Sequence, residues 1–219
     1  MSVSGDGRVV QWTIRKEFKG NTIQKLRRPP AKLTSEIKVK PGDTRVSEHP
    51  CGLALSFFPD DKNMYLLGTE DGYVHSCLCT HTEQYMSTYK GHMRPVYSVQ
   101  WSPFNSNVFL SSSTDWDVKI WHQDSPHAAF SLTSPLKSAN GACWSPFIET
   151  VLASFNDDSL CIWDIARNSL DPILMQPSPS GAKLLCGQFS FNASAVLAGD
   201  DDGCVAVYGL HAIGRQRID

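Results

Sequence analysis

One spacing recurs along this chain and restricts what it can fold into. An aromatic landmark falls at Phe57, Trp101, Trp144 and Phe189, in steps of 44, 43 and 45 residues. A second landmark falls at Trp12, Cys77, Trp121, Trp163 and Tyr208, in steps of 65, 44, 42 and 45. Between them lie alternating apolar runs and an Asp-containing turn, most plainly in GHMRPVYSVQWSPFNSNVFLSSSTDWDVKIW, Gly91 to Trp121. Alternation with a period of two marks half-buried strands, and a unit of this length buries its apolar faces only by stacking on its neighbours. The pattern predicts an all-β chain of four-stranded propeller blades. The long first step carries roughly 21 surplus residues, so an insertion is expected between Trp12 and Phe57.

This reading divides the chain into terminal strands of an incomplete blade (1–12), a basic insertion or linker (13–45), and blades of the WD-repeat type at 46–90, 91–130, 131–175 and 176–212, with a tail at 213–219. Asp6-Gly7, Asp71-Gly72 and Asp202-Gly203 are strong hairpin signals, because glycine takes the positive φ of a tight turn. Asp115-Trp116 and Asp157-Asp158 hold the same place without glycine. A seven-bladed ring at this period needs about 300 residues. The expectation is a partial propeller of about four complete blades and a remnant strand, a piece of a larger ring. The alternative is a small four-bladed ring closed by residues 3–12.

A chain that is 41% hydrophobic and 19% charged suits a globular core. No run of 18 apolar residues points to a membrane span, and MSVSGDGRVVQW lacks the pattern of a secretory signal. The seven cysteines are an odd count without a C-x-x-C pair, which reads as reduced thiols in strands. In that setting Asn192-Ala193-Ser194 carries no glycosylation meaning. Charge is unevenly distributed: residues 13–45 hold ten Lys/Arg against three Asp/Glu, and residues after 50 hold nine against seventeen. The basic stretch could meet nucleic acid, acidic lipid or an acidic protein surface, but its only aromatic is Phe18, which supports base stacking poorly. A solvated outer strand and inter-blade loop is the favoured reading.

Few side chains suggest chemistry. His92, Ser111, Asp115 and Trp121 match a hydrogen-bonded structural quartet in which each buried polar atom finds a partner. A Ser, a His and an Asp in one unit could evoke a hydrolase, but there is no G-x-S-x-G elbow, P-loop or zincin motif. The equivalents of His92 in the other units are Glu48, Pro135 and Ser180, so those units must rely on turn and core alone. His75, Cys77, Cys79 and His81 alternate along one strand face, too linear to surround one zinc. Asp200-Asp201-Asp202-Gly203 lacks the rest of a calcium loop. No catalytic, cofactor or metal residue is assigned.

With these residues in view, the chain resembles the dynein intermediate chains among WD-repeat proteins, and the axonemal type within them. The matching stretches are SVSGDGRVVQW (2–12), LLGTEDGYVHSC (66–77), EQYMSTYKGHMRPVYSVQWSPFNSNVFLSSSTDWDVKIW (83–121) and AGDDDGCVAVYGL (198–210). Trp after the turn Asp, where generic repeats place Gly or Asn, is the most telling. QWTIRK and the basic run after it look most like the inner-arm dynein f intermediate chain. The resemblance implies a non-enzymatic scaffold without cofactors that binds a dynein heavy chain, associates with other intermediate chains, and supports arm assembly and motility in cilia and flagella, with assembly beginning in the cytoplasm. Light chains, held in the family by an N-terminal region, are not expected on this segment. Arg94 and Trp116 are the candidate partner-binding residues, since Arg and aromatic side chains are the usual interface anchors.

Overall fold

The computed structural model describes residues 1–14, 18–28, 49–81, 84–134, 137–192 and 194–210. Every regular element among them is a strand, arranged in five antiparallel sheets. The first holds β1 (Ser2–Val3), β2 (Arg8–Thr13) and β3 (Lys19–Lys25). The second holds β4 (Gly52–Phe57), β5 (Met64–Thr69), β6 (Tyr73–Leu78) and β7 (Ser87–Lys90). The third holds β8 (Val96–Trp101), β9 (Val108–Ser113), β10 (Asp117–His122) and β11 (Ala128–Thr133). The fourth holds β12 (Ala139–Trp144), β13 (Val151–Asn156), β14 (Ser159–Asp164) and β15 (Leu174–Pro177). The fifth holds β16 (Leu184–Phe189), β17 (Ala195–Asp200) and β18 (Val205–Gly209).

Within each sheet the strands pair in chain order, and β4, β8, β12 and β16 contact one another in succession along a shared inner side. This is the partial propeller read from the repeat, with its strands distributed differently. Among the described residues three sheets have four strands and two have three, where four complete units and a remnant were expected. The first sheet gains a strand because Lys19–Lys25 of the basic stretch pairs with β2. The surplus residues therefore fall in the connection from β3 to β4, where the matching joints in the next two sheets span only 91–95 and 134–138. Most of that connection, including Glu48, lies outside the described residues, as do Pro135 and Ala193 of the sequence reading.

The core is a series of inter-sheet layers. Leu66, Val74 and Tyr89 meet Trp101, Phe109 and Trp121; Leu110, Val118, Ile120 and Leu132 meet Trp144 and Trp163; Phe155, Leu160 and Ile162 meet Phe189 and Val196. Each fully buried side chain of this kind contributes roughly 1.5–3 kcal/mol. In the first two of these layers a Trp pair of the following sheet presses on the sheet before it, and in the third Phe189 takes that part.

Candidate functional site

The third sheet carries the densest polar arrangement. Trp121 Nε1 donates to Ser111 Oγ at 2.8 Å, Ser111 Oγ lies 2.7 Å from His92 Nε2, and His92 Nδ1 lies 3.0 Å from Asp115 Oδ2. The structure thus joins His92, Ser111, Asp115 and Trp121 in one chain of hydrogen bonds. Asp115 also accepts from the backbone N–H of Met93 and of Asp117. Burial opposes its charge, but the hydrogen bond from His92 and these backbone donors outweigh it and hold the carboxyl at about 2. The indole-to-hydroxyl bond recurs in the first sheet, Trp12 to Ser2, and in the fourth, Trp163 to Ser154. In the second and fifth sheets Leu67 and Ala198 take the hydroxyl's register position. Nothing in this arrangement leaves a nucleophile free: the Ser111 hydroxyl is buried and engaged on both sides.

The polar chain fixes the turn above it. Trp116 has φ 77°, and among the described residues it is the one non-glycine with positive φ. Gly7, Gly72 and Gly203 take that conformation in the first, second and fifth sheets. For an L-residue it costs about 1–2 kcal/mol, and such strain persists only where neighbours over-determine it. Here Ser113 Oγ receives the Asp115 N–H, Asp115 holds Met93, and the Trp116 carbonyl accepts from Ser134 N. The Trp116 ring remains 44% exposed. Ser113 Oγ also donates to the Arg94 carbonyl, which brings the loop of exposed Arg94 and 91%-exposed Met93 against the same turn.

One set of rim residues was not singled out from the sequence. In each inner strand one residue is skipped by the ladder: Leu53, Tyr97, Asn140 and Leu185. A β-bulge re-aims such a side chain out of the alternation. Leu53, Tyr97 and Leu185 are exposed. Their steps of 44, 43 and 45 repeat those of the aromatic landmarks, and that was the available signal.

The other candidates are accounted for locally. His75 is buried, stacked 3.8 Å from Tyr85 and hydrogen-bonded to Thr88, and burial lowers its pKa to about 3. Burial raises the Cys77 thiol to about 12, whereas His81 lies past the strand beside Thr80. Asp200 accepts from Cys204 N within its own turn, and Asp201 from Lys183 N just before β16. Of the basic stretch, Arg28 pairs with Glu70 and Asp71.

Comparison with known proteins fits this geometry. The family model for the WD domain, G-beta repeat, matches residues 83–122, which take in β7 of the second sheet and β8, β9 and β10 of the third. The solved WD40 beta propeller domain of Doa1 superposes with a TM-score of 0.72 at 16% identity, over 96% of this chain and 61% of that one, which shows the fold. The chain is 39% identical over 213 residues to mouse dynein axonemal intermediate chain 4, covering 96% of this chain and 26% of the relative. It is homologous to the axonemal dynein intermediate chains. The chain is also 33% identical to the Chlamydomonas reinhardtii 78 kDa intermediate chain of the flagellar outer arm and 32% identical to ciliary dynein intermediate chain 2 of Heliocidaris crassispina, each over 94% of this chain. The chain spans about a quarter to a third of the length of these relatives.

Proposed function

We propose that this chain is part of a non-enzymatic WD-repeat scaffold in an axonemal dynein complex, where it docks a dynein heavy chain and supports arm assembly and motility in cilia and flagella. Cilium and axoneme are its setting, and the inner-arm dynein f subtype is the finer form of the proposal. Trp116 carries the reading: a strained, half-exposed indole stands where three sister sheets relax the same turn with glycine. Strain of this kind, held by a dedicated hydrogen-bond chain, favours a role in recognition over one in stability. Arg94 and Met93 widen the patch on the same rim.

A tagged chain expressed in ciliated cells is expected to retain a dynein heavy chain through purification. Trp116→Ala and Arg94→Ala should each weaken that retention about tenfold with the fold intact by circular dichroism. Recovery of the tagged chain without any heavy chain would reject the proposal. Neither the geometry nor the comparisons favour nucleic acid, since Arg28 is already paired to carboxylates and the described basic strand β3 carries no aromatic residue.

A further inference from the structure

We propose that the groove between the third and fourth sheets is a socket for one aromatic side chain of a partner polypeptide, followed there by a Lys or Arg. The groove has a volume of about 280 Å³ and is lined by Ser102, Phe104, Phe130, Trp144 and Glu149 among others. It lies by the β8–β9 connection, at the opposite strand ends from the β9–β10 turn that holds Trp116. It therefore does not rest on the docking surface proposed above.

The occupant is written in the preceding interface. Phe58 and Ser102 hold the same place in successive sheets: Phe58 N donates to Met64 O and Ser102 N to Val108 O, each at 2.9 Å. Trp101 and Trp144 likewise end equivalent inner strands. Between the second and third sheets the Phe58 ring meets Trp101 edge to face, with centroids 4.9 Å apart and planes at 78°. Between the third and fourth, Ser102 stands in for that ring. Its hydroxyl instead accepts from Phe104 N and Asn105 N in its own turn, and the space against Trp144 is open.

An aromatic ring supplied from outside would meet Trp144 as Phe58 meets Trp101, in the edge-to-face arrangement that aromatic pairs prefer. The half-exposed rings of Phe104 and Phe130 line the same groove. Glu149 is exposed, lines the groove and forms no ion pair among the described residues. An unpaired carboxylate beside an apolar slot selects a cationic neighbour for the inserted ring.

The test is a titration of the full ¹⁵N-labelled chain with acetyl-Gly-Phe-Arg-Gly-amide, read at the Trp144 indole resonance. The Phe-Arg peptide should shift it saturably. Replacing Phe by Ala should weaken binding about tenfold, and replacing Arg by Glu roughly threefold at low salt. Ser102→Phe, which fills the slot from within, should abolish the response. Glu149→Gln should erase the preference for Arg over Glu, and Trp116→Ala should change nothing. No saturable shift below about 10 mM, equal response to the Phe and Ala peptides, or binding that survives in folded Ser102→Phe would overturn the proposal. So would a concentration-dependent rise in mass that Ser102→Phe removes, because the socket would then be filled by a second copy. Should Ser102→Phe prove unfolded, the Glu149→Gln result decides: a retained Arg preference overturns the proposal.

Discussion

Trp116 puts stability and recognition in opposition at a single residue. Glycine at this position would release the left-handed strain while adding chain entropy to the unfolded state, leaving a net gain of about 0.5–1 kcal/mol. Trp116→Gly is therefore expected to raise the urea midpoint while weakening heavy-chain retention. A lowered midpoint would show that the ring is held by packing. Trp121 is the opposite case, since its ring is buried and its N–H is spent on Ser111. Trp121→Ala should cost about 3–5 kcal/mol, measured by denaturant unfolding. Two titrations act on the same curve. The His75 pKa is lowered from 6.5 to about 3 by burial, so the unfolded chain binds that proton first as pH falls. Stability is then full above about 6.5 and declines toward 3, by at most about 1.4 kcal/mol per pH unit. Asp115 adds a further loss as pH falls from 3.8 to about 2. Unfolding measured at pH 7, 5.5 and 4.5 should show the decline, and His75→Phe should flatten it.

At the scale of elements, what could be read in the chain depended on whether neighbours reinforce a local signal. The β9–β10 and β13–β14 hairpins were legible because alternating apolar runs meet at an Asp turn. The 42-residue step from Trp121 to Trp163 has a direct cause: five residues separate the paired Ser112 and Val118, but four separate Phe155 and Leu160. Strand β3 was harder to see, since KGNTIQK is polar, mostly exposed and set in a basic run. Only its ladder to β2 makes it a strand. The bulge residues were missed for a related reason. A skipped residue breaks the alternation that strand reading relies on, so Tyr97 reads as noise unless its period is compared across units. In the candidate site, the residue types of the quartet were visible, but the φ of Trp116 and the empty place left by Ser102 emerge only when interfaces are compared. Burial follows the same gradient. Every residue of β13 and β14 is buried, whereas all of β15 is exposed and β18 alternates. Hydrogen exchange should be slowest in the β13–β14 hairpin and fastest in β15 and β18, because opening free energy follows local burial. Uniform protection across the five sheets would contradict this.

At the scale of the whole molecule, the two end sheets present complementary surfaces. Leu110, Val118 and Ile120 of the third sheet are 0–3% exposed because the fourth sheet, with Trp163, covers them. The ladder puts Leu197, Val205 and Val207 of the fifth sheet in the same positions, and there they are 37%, 67% and 66% exposed. At the other end Trp12 occupies the register of Trp121 and Trp163, bonded to Ser2 as they are to Ser111 and Ser154, yet is 42% exposed. One end thus offers the apolar face that receives an indole, and the other offers a half-exposed indole stacked on the exposed Phe18 ring at 4.7 Å, with no neighbouring sheet over it. Surfaces that differ but fit form a head-to-tail contact, which propagates unless the rotation closes, and contiguous apolar patches drive such association. The purified chain by itself should therefore gain mass with concentration in sedimentation velocity. Val205→Lys with Val207→Lys should weaken that association by about tenfold or more, and so should Trp12→Ala, because each removes one half of the same contact. If only the lysine pair acted, the contact would be symmetric between two fifth sheets, and the complementarity drawn from the ladder would be wrong.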